Sequence, residues 1–190
     1  VLTATMAGYA FARLRFPGKN FLFSLVLIQM MVPPQIFLLP QYLMISKLGM
    51  LNTTFALVFP GLVSAFGTYL LKTSFQGLPK DLEEAAEIDG CNIGQRFLMI
   101  MAPLTRSGMV SLGIFTAVFA FKDLMWPMIA CTSIETTSLS AALAKMQGQF
   151  AANYPQLMAA ALMACIPMIV IYLIFQKQFV EGIATSGGKL

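Results

Sequence analysis

Apolar residues run almost unbroken through four stretches of this 190-residue chain, 21–39, 55–71, 107–130 and 157–175. The hydrocarbon core of a bilayer accommodates about 20 such residues as a helix, so each stretch predicts a membrane span. Phe21 to Leu39 is broken near its far end by Pro33-Pro34, and Pro60 lies inside Phe55 to Leu71. Ser107 to Ala130 carries the charged residues Lys122 and Asp123. Leu157 to Phe175 carries no charge. With each Leu, Ile, Val or Phe near the centre contributing about −0.3 to −0.6 kcal/mol, it is the span expected to insert unaided. The opening run, Val1 to Ala12, covers only about 18 Å before Arg13 and Arg15 stop it, too little to cross alone. With no Met at position 1, the expectation is an N-terminally truncated chain that starts inside a span.

Composition moves the reading further toward lipid. Hydrophobic residues make up 58% and charged residues 11%, against about 45–50% and 25% in a soluble domain. A water-soluble fold is excluded, and an all-α polytopic transmembrane helical bundle, one domain over residues 1–190, is expected. Cys91, Cys131 and Cys165 are odd in number and far apart, which gives neither a disulfide framework nor a zinc site. There is no His, so the usual metal ligand and general base are missing. No metal and no catalytic residues are expected, and the chain reads as non-enzymatic.

The net charge of +4 is scattered between apolar runs rather than gathered in a stripe, so no nucleic acid is expected. Its distribution reads as topology. Arg13, Arg15, Lys19, Lys72, Lys80, Arg96, Arg106, Lys177 and Lys189 would share one side, and Lys47 and Lys145 the other. Such an asymmetry places 13–20, 72–106 and the C-terminus in the cytoplasm, with 40–52 and 131–154 facing outward.

The long polar loop 72–106 is the most informative segment. It reads Gln76-Gly77-Leu78-Pro79-Lys80-Asp81-Leu82-Glu83-Glu84-Ala85-Ala86-Glu87-Ile88-Asp89-Gly90, then Cys91-Asn92-Ile93-Gly94-Gln95-Arg96-Phe97, and on to Ile100-Met101-Ala102-Pro103. Pro79 and the acidic Asp81, Glu83 and Glu84 suit a first helical turn, and Gly90 suits a left-handed stop. Asn92 with Gln95 three residues later predicts a capping box for a second helix that Pro103 ends. Ala85 and Ala86 leave part of the first helix smooth. A short, smooth, acidic-ended helix of this kind suits docking.

These residues resemble the inner-membrane permease subunits of ATP-binding-cassette (ABC) importers. Their signature is E-A-A, three residues, G, nine residues, I, one residue, L-P. In this chain it runs Glu84-Ala85-Ala86, Gly90, Ile100 and Ala102-Pro103, with Ala102 where the family usually has Leu. The carbohydrate branch, of the maltose-permease second-subunit type, looks closest. It is similar at Gly8-Tyr9-Ala10-Phe11-Ala12-Arg13, Met31-Val32-Pro33-Pro34, Asp89-Gly90 and the tail Gln176-Lys177-Gln178-Phe179-Val180-Glu181-Gly182. The resemblance implies a type I, MetI-like importer permease in the bacterial inner membrane. It also implies that Glu84, Ala85, Ala86, Asp89, Gly90, Ile100 and Pro103 dock a cytoplasmic ABC ATPase dimer.

The other partners it implies are a second permease subunit, a heterodimer being expected, an extracytoplasmic solute-binding protein and the lipid bilayer. No phosphate-binding G-x-x-x-x-G-K-[ST] occurs, and Gly188-Lys189 lacks its first glycine and hydroxyl. No cofactor is expected on this chain, with ATP and Mg on the partner ATPase. The implied cargo is a sugar or oligosaccharide, and glycerol phosphate or a polyamine on the same fold is the alternative. An ion-coupled secondary transporter is disfavoured, because the other spans lack inward carboxylates.

Lys122 and Asp123 inside a span would each cost roughly 2.5–3.5 kcal/mol at the bilayer centre, so both must face protein or water. The carbohydrate permeases tend to have Trp-Asn-Asp or Trp-Asn-Glu, where this chain has Phe121-Lys122-Asp123 followed by Trp126-Pro127. Two readings stand. Lys122, Asp123 and Trp126 line the substrate pathway, or Lys122 snorkels, Asp123 bridges helices and Trp126 anchors at the interface.

Overall fold

The computed structural model describes residues 1–133, 135–149 and 154–187, with side chains described except at 147–149 and 177–187. The tail residues 177–182 and Gly188-Lys189 therefore fall outside the described side chains or residues. Among the described residues every regular element is helical.

Helix α1, Leu2–Arg13, is the short apolar run expected, and it stops at its first cation. The Lys19 ammonium donates to the Leu14 carbonyl at 2.8 Å and covers the open end of α1. Helix α2, Lys19–Met31, then runs to Val32. Val32 and Pro33 are extended (ψ 127° and 130°), as a residue before proline should be, and the chain resumes as a 3-10 turn, Pro34–Phe37, and α3, Leu38–Lys47. The double proline thus breaks the first span where expected.

The second span is also broken, beyond its proline. Helix α4, Thr54–Val58, passes into a 3-10 turn, Phe59–Leu62. The chain restarts as α5, Ala65–Gln76, where the Ser64 side chain accepts from the Gly67 amide at 2.9 Å. The polar loop therefore begins at Gly77, five residues later than the expected boundary at 72.

Helix α6, Asp81–Ile88, is followed by one continuous helical segment made of α7, Ile93–Gln95, a π-helical turn, Arg96–Met101, and α8, Ala102–Leu104. Helix α9 is Arg106–Lys122 and α10 is Met125–Ala130. The expected single span 107–130 is thereby corrected to two helices parted at Asp123-Leu124. Helices α11, Leu139–Gln149, and α12, Tyr154–Gly187, complete the chain. Within α12, Tyr154–Gln176 has a mean hydropathy of 2.6 and is, among the described residues, the one helix long and apolar enough to cross a membrane by itself. Three bent pairs, 19–31 with 34–47, 54–62 with 65–76, and 93–104 with 106–122, reach that length jointly.

The chain divides into two packing units. The first comprises Val1–Val32, Val63–Gly113 and the C-terminal segment from Lys177, and the second Pro33–Leu62 and Ile114–Gln176. In the first unit α1 packs on α5 so closely that a Cβ at Gly8 would lie 2.9 Å from the Leu71 Cβ and the Lys72 amide nitrogen. A Cβ at Gly67 would lie 3.0 Å from the Ala4 Cβ and a Leu112 methyl. Small residues at such crossings replace the hydrophobic drive that lipid removes, because they let backbones touch. Ala4, Tyr9, Leu71, Phe75, Met101 and Leu112 form the core of this unit. In the second unit Ile45, Ala56, Trp126, Ala130 and Cys131 form a separate core.

Candidate functional site

Helix α6 ends as its sequence predicts. Gly90 has φ +82°, its amide donates to the Glu87 carbonyl at 3.0 Å, and the Cys91 amide donates to the Ala86 carbonyl at 2.9 Å. These are the bonds of a left-handed glycine cap, which satisfies carbonyls that the helix leaves open. Two residues on, the Asn92 side chain accepts from the Gln95 amide and the Gln95 side chain accepts from the Asn92 amide, both at 2.9 Å. The capping box is complete. Stop and start signals set side by side make a tight hairpin of α6 and the segment 93–104. The Glu87–Arg96 ion pair, Oε2 to Nη1 at 2.6 Å, ties its arms together.

The expected site residues divide by face. Glu84 and Ala85 are exposed, as are Asp89 and Gly90 at the turn, while Ala86 is buried. Helix α6 packs against the Arg96–Met101 turn. Ile100 is half-buried against the core of the first unit, and the adjacent Met101 is fully buried within it. Pro103 is exposed and does not end the helix. Its ring sits in the last turn, which closes one residue later at Leu104, where the Thr105 amide reaches the Met101 and Ala102 carbonyls at 3.1 Å. A proline has no amide to give. The wider π-helical turn just before it is a register that such a defect favours.

Sequence reasoning missed the inner face of α6. Glu83 points away from Glu84, accepts from the Tyr9 hydroxyl at 2.8 Å and pairs with Arg13, Nε to Oε2 at 3.4 Å. The Arg13 guanidinium also donates from Nη2 to the Phe75 carbonyl at 2.6 Å and the Leu78 carbonyl at 2.5 Å. The Arg13 side chain keeps 6% of its accessible surface and that of Glu83 keeps 15%, so both charges are nearly withdrawn from solvent and depend on each other. The Tyr9 ring stands edge-on to Phe75 at 5.5 Å and tilted against Phe97 at 5.1 Å. The signal available in sequence was the pair Tyr9 and Arg13, four residues apart and therefore on one face of α1.

The second unit places the remaining candidates. Lys122 is the last residue of α9, and Asp123 lies outside the helix, both exposed. The Asp123 carboxylate accepts from the Trp126 amide at 3.4 Å at the start of α10. These charges lie at a helix break and not within a continuous helix. Trp126 is 5% exposed and donates its indole N–H to the Ala56 carbonyl at 2.9 Å. It is a core residue of the second unit. Nearby, the Asn52 side chain accepts from the Thr132 amide at 2.7 Å and the Ser133 amide at 3.1 Å, and Lys145 donates to the Cys131 and Thr132 carbonyls at 3.2 and 3.1 Å.

A family described as "Binding-protein-dependent transport system inner membrane component" matches residues 2–184. The chain is 33% identical over 189 residues to the arabinooligosaccharides transport system permease protein AraQ of Halalkalibacterium halodurans, covering all of this chain and 68% of that protein. It is 32% identical to the protein of the same name from Bacillus subtilis, covering 98% of this chain and 66% of that one. To the sn-glycerol-3-phosphate transport system permease protein UgpE of Salmonella typhi it is 31% identical, covering 98% of this chain and 67% of that protein. Among solved structures, a chain of a bacterial ABC transporter involved in the import of the acidic polysaccharide alginate superposes with a TM-score of 0.81 at 22% identity. That match covers 94% of this chain and 70% of the other, and it shows a shared fold.

Proposed function

This chain belongs to the family of binding-protein-dependent transport system inner membrane components, and we propose that its 81–104 hairpin is the surface on which a cytoplasmic ABC ATPase docks. The observation that carries this reading is the division of labour on α6. Glu83 is consumed internally, while Glu84 and Ala85 are left exposed beside a glycine-capped turn. A rigid knob with exposed carboxylates at Asp81, Glu84 and Asp89 and little side-chain bulk suits an electrostatic, shape-based joint. ATP and Mg belong to the partner, and this chain supplies the pathway, with a second permease subunit and an extracytoplasmic binding protein completing the importer. The hairpin side and the C-terminus face the cytoplasm in this reading, which the excess of Lys and Arg in the first unit supports. The ATPase drives rigid-body switching between outward and inward openings.

The cargo proposed is a sugar or oligosaccharide, supported by relatives named for arabinooligosaccharide transport. Glycerol phosphate is a second reading, favoured by relatives named for sn-glycerol-3-phosphate transport. The test uses the full-length protein with its native partners. Gly90→Pro cannot adopt φ +82°, and Glu84→Lys reverses a free charge on the exposed face of α6. Both are expected to remain in the membrane while ATPase co-purification and uptake of labelled arabinooligosaccharide fall roughly tenfold. Unchanged uptake and co-purification in both variants would remove the docking role. Uptake of labelled glycerol phosphate in place of the oligosaccharide would select the second cargo.

A further inference from the structure

The hairpin is attached to the rest of its unit at two narrow points, the Gly77–Lys80 connection after α5 and the bend at Thr105 before α9. Neither connection would by itself keep a push on α6 from swivelling the hairpin. Three side chains close this gap. Arg13 grips the Phe75 and Leu78 carbonyls, where α5 gives way to the hairpin, and in the same place pairs with Glu83 of α6. Tyr9, one turn earlier on α1, donates to the same Glu83 carboxylate and lays its ring against Phe75 of α5 and Phe97 of the second hairpin arm. One face of α1 thereby holds the end of α5 and both arms of the hairpin.

We propose that Arg13, Tyr9 and Glu83 are positioning residues that form a joint, so that the hairpin and helices α1 and α5 move as one body when the ATPase moves. This rests on the docking reading above. The chemistry suits transmission. The nearly solvent-free pair is costly to separate, so the joint resists partial opening. The three bonds and two ring contacts leave few torsions free. Glu84, one residue away on the exposed face, receives the force, and Glu83 passes it inward. The arrangement also explains why two adjacent glutamates have unlike surroundings.

The test measures solute uptake per ATP hydrolysed, in proteoliposomes containing the full-length chain with its native partner subunits and binding protein. Glu83→Gln removes the inward charge, and Tyr9→Phe removes only the hydroxyl while keeping the ring packing, so the second variant retains the fold even if the first does not. The expected result is normal ATPase co-purification in both variants and a fall of about fivefold or more in uptake per ATP. Glu83→Asp should recover part of the loss, which a purely structural defect would not show. Unchanged uptake per ATP in Tyr9→Phe and Glu83→Gln would overturn the joint while leaving docking intact. Loss of co-purification in a Glu83→Gln variant that keeps the wild-type Tm, with the wild type binding normally, would also overturn it by placing Glu83 on the docking face. Failure of the wild type to recover the ATPase would remove docking and the joint together.

Discussion

The two packing units solve the problem of buried polarity in different ways. In the first, Arg13 and Glu83 pair almost out of solvent and Arg96 meets Glu87, both arms of the hairpin being tied by charge. In the second, side chains meet backbone groups, as the Trp126 indole does the Ala56 carbonyl, the Asn52 side chain the Thr132 and Ser133 amides, and the Asp123 carboxylate the Trp126 amide. The one charged donor described there, Lys145, meets backbone carbonyls and not a carboxylate. Lys and Arg follow the same division. Arg13, Arg15, Lys19, Lys72, Lys80, Arg96 and Arg106 lie in the first unit, against Lys47, Lys122 and Lys145 in the second. Ion pairs commit a structure to a register and couple its parts, and a packed indole chiefly adds stability. The first unit is therefore the place to look for work, and the second for support.

That contrast can be broken from either side. The largest effect on stability is expected from Trp126→Ala, which empties a core site and strands the Ala56 carbonyl, at a cost of about 3–5 kcal/mol. Thermal unfolding in mild detergent should show it as a lowered Tm, with uptake per folded molecule preserved. Selective loss of uptake without loss of Tm would make Trp126 a pathway residue. A smaller change is expected from Asn92→Ala, which removes half of the capping box and costs about 1 kcal/mol. Faster amide hydrogen exchange confined to residues 93–97 would show it, and a loss spread over α1 and α5 would mean that the hairpin is less self-contained than described. The smallest is Asp123→Asn, an exposed acceptor at a helix break, which should leave Tm unchanged to within about 0.5 kcal/mol of stability.

Local signals were read well from sequence because their causes are local. Gly90 stops α6 because its backbone turns left-handed. Asn92 and Gln95 cap each other three residues apart, and Pro33-Pro34 remove amides that a helix needs. The span 157–175 is legible because uninterrupted apolarity needs no partner to interpret it. The failures share a different cause. Arg13 and Glu83 are 70 positions apart, so no window of sequence contains their pairing. Trp126 reads as an interfacial anchor unless the Ala56 carbonyl is known to be waiting for it. The break at Asp123-Leu124 lies in a run of apolar residues, where hydropathy sees a span and only a carboxylate accepting a backbone amide marks a new helix start. The restart at Ser64 was in principle visible as a hydroxyl three residues before Gly67, although Pro60 is the more conspicuous helix breaker in that span.

The central claim, that Glu84 and its exposed neighbours receive the ATPase while Glu83 faces inward, is tested most directly by position-specific photocrosslinking in the assembled full-length complex. A photoreactive residue placed at Ala85, beside Glu84, should capture the ATPase, and one placed at Lys145 in the second unit should not. Capture from Lys145, or none from Ala85 in a complex that still hydrolyses ATP and imports solute, would contradict the account.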